Sequence, residues 1–151
     1  MISKASHSVQ HATHDGPLGF CLRLARAQAE VVRRLDGPLS VHGISFGDFQ
    51  VLYHLSHAPE GRLRRVDLAE RLGLTASGVT RSLLPLEKIG LVDRQPDPRD
   101  ARVSYAVITR AGRAMLRDAL ATAQAVSGEL LQEFEPGMLE ALAGVLGQIA
   151  R

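Results

Sequence analysis

The chain has 151 residues, 45% hydrophobic and 4% aromatic, with a net charge of +2. That length makes one domain the default, with a core mostly of Leu, Val, Ala and Ile. No window approaches the ~18 consecutive apolar residues of a membrane helix, the first residues lack the apolar segment of a secretory signal, and the lone cysteine, Cys21, excludes an internal disulfide. These features predict a cytoplasmic protein with no membrane contact.

Charge is unevenly placed. Residues 62–113 hold eleven Lys/Arg against six Asp/Glu, and the remainder seven against ten. A basic middle between acidic ends suits a sub-region that meets a polyanion, although an arginine-rich solvated surface has the same composition.

In chain order, residues 1–16 have no hydrophobic period and read as a flexible tail. Its His7, His11 and His14 are weak metal candidates. From Pro17 a helical stripe runs through Leu18, Cys21, Leu22, Ala25, Ala29, Val32 and Leu35, with Gly37-Pro38 expected to end it. A second helix carries Phe46, Phe49, Leu52, Tyr53 and Leu55, and Pro59 and Gly61 break it. "RVDLAERLGLT" gives a short helix with Leu68, Ala69 and Leu72 inward, closed by Gly73. The next helix follows after a tight turn, which is the helix-turn-helix pattern.

That next helix starts near Ala76, with Thr75 as its N-cap. Val79, Leu83, Leu86 and Ile89 share its core face, while Ser77, Thr80 and Arg81 fall on the other side near the start. Short hydroxyls suit phosphates or base edges, arginine is the usual bidentate reader of guanine, and Gly78 permits close backbone approach. A capped surface helix with ordinary helix-start residues is the bland alternative. Pro85 lies inside the helix, where its missing N–H would have paired with the Arg81 carbonyl; a bend or loosening near Arg81 is expected.

After Gly90 the period changes to that of strands. "LVDRQ" and "RVSYAVI" flank the turn "PDPRDA", the second run placing Val103, Tyr105 and Val107 on one face. This hairpin projects Arg99 from its tip, with Arg94 and Arg102 near the strand ends. Arginine at such a tip suits the narrow minor groove. Asp97 and Asp100 fit beside phosphate only if they pair with arginines and fix the loop. Thr109 then caps a long helix through Ala114, Leu116, Leu120, Ala123 and Leu130, weakened by Gly128 towards its end. Met138, Leu139, Leu142, Val145, Leu146 and Ile149 form a last stripe. The fold class is mainly α with a small β-hairpin wing (α+β), a winged helix-turn-helix with further helices at both ends.

The run from Leu74 to Leu116 resembles the signature of the MarR family of winged-helix transcriptional regulators. The matching elements are Val79-Thr80-Arg81, Leu86-Glu87 with Gly90-Leu91-Val92, Asp97-x-Arg99-Asp100-x-Arg102, and Thr109 with Gly112-Arg113. The flanking helices extend the likeness over roughly residues 17–150 by pattern alone.

The resemblance implies a homodimer on double-stranded DNA with a pseudo-palindromic operator, most simply a repressor relieved by a small aromatic or phenolic acid. It implies a single domain over 17–151, with dimerisation helices at 17–36 and 109–151 and a winged lobe at 44–108. Ser77, Thr80 and Arg81 would meet the major groove and Arg99 the minor groove, with Thr75, Gly78 and Arg94 also on the DNA-binding side and Asp97, Asp100 and Arg102 bracing the wing. For the effector, Arg23 and Arg26 are candidates to pair a carboxylate, and Phe46, Phe49 and Tyr53 to line a cavity. The ordinary alternatives, core aromatics and solvated or dimer-bridging arginines, are favoured there.

Three further readings stay open. Cys21 could serve an organic-peroxide sensor, against its expected role as a buried packing residue. His54 and His57, three apart on a helix, have a spacing that suits zinc, but no Cys or carboxylate cluster accompanies them, so no metal and no cofactor is expected. A winged-helix protein-interaction module without specific DNA binding is the rival of another class. No catalytic motif stands out, and an enzyme is not expected.

Overall fold

The structure is a computed structural model and describes residues 16–151. The histidines at 7, 11 and 14, and the tail apart from Gly16, lie outside the described residues. The chain forms two units, one ending at Val32 and the other running from Arg33 to Arg151.

Helix α1 spans Pro17–Leu39. It runs through Gly37 and Pro38 instead of ending at them, because Leu35 and Leu39 are both buried and hold its last turns to the core. In the first unit its apolar residues Leu18, Phe20 and Leu22 are exposed. In the second unit, Asp36 Oδ1 accepts from the Phe46 amide at 2.7 Å, fixing the entry into α2 (Phe46–Ser56). A capping box of Ser45 and Asp48 starts that helix. Phe49, Val51, Leu52 and Leu55 bury its inner side.

A strand that the sequence did not announce, β1 (Arg62–Arg64), follows, then α3 (Arg65–Leu72) and α4 (Ala76–Lys88). Strands β2 (Val92–Pro96) and β3 (Ser104–Ile108) form the hairpin, and β1 joins it antiparallel in the order β1-β3-β2. The face that packs inward carries Leu63, Val92, Ala106 and Ile108. Tyr105 and Val107 lie on the opposite, half-exposed face. Alternation was legible in this run, but two apolar sets compete in it, and packing selects the smaller Ala106 set.

Helix α5 (Arg110–Leu131) buries Gly112, Leu116, Ala119 and Ala123, and continues past Gly128. Helix α6 (Pro136–Ile149) has no buried residue: Met138, Leu142, Val145, Leu146 and Ile149 are each about half exposed. None of the helices is long and apolar enough to cross a membrane among the described residues.

Candidate nucleic-acid interface

The turn between α3 and α4 is built from two opposed signals. Gly73 adopts φ +64°, and the Gly73 and Leu74 amides donate to the Glu70 and Ala69 carbonyls, closing α3 in a Schellman motif. Thr75 then takes an extended conformation, and its hydroxyl accepts from the Gly78 amide at 3.1 Å. Such a cap is worth about 0.5–2 kcal/mol and opens the helix where its free amides meet solvent. Arg65 and Glu87, 3.4 Å apart and both largely covered, tie α3 to α4.

Along α4, Val79, Leu83 and Leu86 are buried, while Ser77, Thr80 and Arg81 are exposed within the first two turns. Thr75 Oγ1 lies 3.2 Å from Ser77 Oγ, and the Thr80 hydroxyl donates to the Ala76 carbonyl at 3.0 Å. The Ser77 and Thr80 hydroxyls keep acceptor capacity on the outer surface. Gly78 is packed tightly: a Cβ there would lie 3.2 Å from Thr75 Oγ1 and 3.4 Å from Leu74 Cβ. The helix passes Pro85 without a break in its span and closes at Ile89.

Ile89 departs from the sequence reading. It is 60% exposed instead of facing the core. Gly90, at φ +77°, turns the chain in a second Schellman closure, Leu91 donating to the Leu86 carbonyl, and Leu91 and Val92 take over the inward positions.

The wing is held by its acidic residues in two ways. Asp97 Oδ1 accepts from the Arg99 amide at 2.7 Å and the Asp100 amide at 3.3 Å, and Oδ2 accepts from the Tyr105 hydroxyl at 3.1 Å. No arginine side chain hydrogen-bonds Asp97: in a tight turn the nearby amides reach the carboxylate first, and Arg64 acts on it through charge alone. Asp100 does pair with an arginine, Arg102, through two contacts at 3.1 and 3.2 Å. The Arg99 amide, with help from Tyr105, lowers the Asp97 carboxyl, and Arg102 lowers Asp100, so both stay ionised. Arg99 itself is exposed, and the Arg94 Nε donates to Ser104 Oγ at 2.9 Å.

Sequence reasoning missed the arginines of β1. Arg62 lies with its guanidinium carbon 4.9 Å from the Tyr105 ring centroid and donates to Gln95 Oε1 at 3.2 Å. Arg64 is exposed, paired in register with Tyr105, whose hydroxyl raises its guanidinium above the ordinary arginine value. A cleft of about 260 Å³ beside them is lined by Arg64, Arg65, Arg94, Arg102 and Ser104. The signal was "RLRR" after a loop, but three residues are too few for a period to show.

Other candidates are placed as follows. Phe46, Phe49 and Tyr53 stack along α2 with ring centroids 6.3 and 6.0 Å apart; Phe49 is buried, Phe46 half-buried and Tyr53 exposed. Arg23 and Arg26 are exposed on α1 in the first unit. Cys21 is exposed and not a buried packing residue, and Leu18, Phe20 and Leu22 beside it on α1 are exposed as well. His57 Nδ1 lies 2.8 Å from the Tyr53 carbonyl, its ring centroid 4.2 Å from that of Tyr53. No group of three or more His, Cys, Asp or Glu among the described residues is arranged to hold a metal ion.

Comparison with known proteins gives the same site a context. The model of the MarR family matches residues 42–103. The HTH-type transcriptional repressor Rv2887 of Mycobacterium tuberculosis is 30% identical over 117 residues, covering 78% of this chain and 81% of the relative. Two Bacillus subtilis regulators match over less, with 56% and 64% of their own length spanned. Among solved structures, CouR from Rhodococcus jostii RHA1, bound to p-coumaroyl-CoA, has TM-score 0.79 at 27% identity, covering 93% of this chain and 95% of CouR. A mutant MarR from E. coli complexed with operator DNA has TM-score 0.75 at 25% identity, covering 88% and 93%.

Proposed function

The chain belongs to the MarR family of transcriptional regulators, and from that premise we propose that it is a sequence-specific DNA-binding repressor acting as a homodimer on a pseudo-palindromic operator. The observation that carries this is the division of α4. Its first two turns present Ser77, Thr80 and Arg81 outward while Val79 and Leu83 anchor the same turns in the core. A recognition helix reads base edges with such N-terminal residues, and its capped start also suits a backbone phosphate. Thr75 and Gly78 set that start, Arg81 reads a guanine, and Arg94 meets phosphate. Arg99, on a tip fixed by Asp97, Asp100 and Arg102, enters the minor groove. The operator complex of the E. coli relative supports this docking.

The homodimer is supported by the half-exposed α6 stripe, which needs a cover of the same apolar kind. Two identical heads then use grooves one helical turn, about 34–36 Å, apart. A small aromatic acid or its thioester is the proposed effector, since CouR holds p-coumaroyl-CoA and α2 carries the Phe46, Phe49 and Tyr53 stack. It releases DNA by binding the non-operator arrangement better. Peroxide sensing through Cys21 is not favoured, as the ligand named for a similar structure is a CoA ester. The proposed location is the cytoplasm, where the DNA is.

A mobility shift with a duplex from the gene's own upstream region tests this reading against a scrambled duplex. Preferential retardation, reversed by a phenolic acid or p-coumaroyl-CoA, is expected. Absence of retardation with either duplex at low salt would overturn it in favour of a protein-interaction module.

A further inference from the structure

Tyr105 sits at the middle of the outer sheet face, paired in register with Arg64 on one side and Gln95 on the other. Its ring is half-buried beneath Arg62, whose guanidinium carbon is 4.9 Å from the centroid, and that arginine also holds Gln95. Three strands therefore converge on one aromatic side chain. Its hydroxyl reaches beyond the strands to the wing turn and donates to Asp97 Oδ2 at 3.1 Å. The other oxygen of that carboxylate takes the Arg99 amide at 2.7 Å.

We propose that Tyr105 is a positioning residue for Arg99: it fixes the Asp97 carboxylate, which in turn fixes the backbone from which Arg99 extends. The proposal rests on the reading that the wing tip meets DNA. A carboxylate held from one side only can rotate about its Cβ–Cγ bond, and the amide bond to Arg99 then becomes intermittent. Held from both sides, it makes the tip a preformed element, so the ordering cost is not met at binding. Other turn contacts, the Asp97 amide to the Val103 carbonyl at 3.0 Å, the Val103 amide to the Asp100 carbonyl at 2.9 Å and Arg102 to the Asp100 carboxylate, close the loop without involving an atom of Arg99. The carboxylate also lies where phosphate repels it, and two amides and a hydroxyl spread its charge.

The test compares Tyr105→Phe, Arg99→Ala and the double variant with the parent. Phenylalanine keeps the ring under Arg62 and removes only the hydroxyl. In the free protein, amide hydrogen exchange at Arg99 and Asp100 should speed up about fivefold or more, with Ala106 unchanged, as a charged hydrogen bond is lost. Binding to the upstream-region duplex should weaken about five- to tenfold, and the logarithmic salt slope should fall by about 1, as for Arg99→Ala. In the Arg99→Ala background Tyr105→Phe should add less than about twofold, because both act on one contact. Unchanged Arg99 exchange overturns the proposal whatever the DNA result. A full additional loss in the Arg99→Ala background overturns it too. If the parent binds no duplex while exchange responds as expected, the DNA reading fails, and this inference fails with it as a statement about recognition.

Discussion

Gly112 of α5 lies so close to the Leu91 carbonyl that a Cβ on it would sit 2.1 Å from that oxygen. The contact is framed by Thr109, whose hydroxyl donates to the Gly90 carbonyl at 2.7 Å and accepts from the Gly112 amide at 3.0 Å. One short patch thus locks the end of α4, the root of the wing and the start of α5 together. Gly112→Ala should force the backbones apart and lower stability by about 1–3 kcal/mol, as overpacking does. A urea unfolding midpoint at or above the parent's would show that the junction relaxes freely.

Pro85 is exposed, so replacing it leaves the buried core of α4 intact. Pro85→Ala restores the amide that Arg81's carbonyl lacks and should raise stability by up to about 3 kcal/mol, measured by thermal unfolding. A parallel binding measurement reads whether the proline aims the Arg81 end: unchanged operator affinity would make its effect one of stability alone.

How much of this was legible in the sequence follows from what kind of signal each residue gives. Thr75, Gly73, Gly90 and Thr109 are local: capping and left-handed turns need only their neighbours, and all four fall where their chemistry directs. Strand β1 was invisible because three residues have no period and its partner lies over forty residues away. Ile89 has the right spacing for the core face, but the Schellman turn at Gly90 ends the helix there and gives the inward place to Leu91. The Tyr105–Asp97 bond was likewise hidden, since it depends on hairpin register and not on a motif.

The α6 stripe leads to a prediction on assembly. Leu142 and Leu146 are 46% and 45% exposed in the single chain. Leu142→Asp with Leu146→Asp should give a monomer by sedimentation, with a thermal midpoint that no longer rises with protein concentration. A dimer surviving both changes would place the interface elsewhere.

Burial, followed by Arg71 and His57, pushes the His54 imidazole below its ordinary 6.5. The unfolded chain therefore takes up this proton first as pH falls. Stability should drop as pH descends from about 7 through 6.5, until folded His54 protonates as well. His54→Gln should flatten that part of the curve in urea titrations at several pH values. Asp97 and Asp100 act in a lower window: their folded values are depressed below 3.8, so their contribution is present above it and lost as pH falls through those values. An unchanged slope between pH 7 and 5 in the glutamine variant would assign the loss to other groups.

On the proposed reading, the α4 edge and the wing together bind duplex DNA. Fluorescence anisotropy with the upstream-region duplex between 50 and 200 mM salt tests it most directly. Affinity should fall by about 10³–10⁵ for 6–10 phosphate contacts. Arg81→Ala should cost about 1–3 kcal/mol and relax base preference, while Arg99→Ala weakens all sequences more evenly. Salt-independent binding, or parental affinity in both variants, would contradict it.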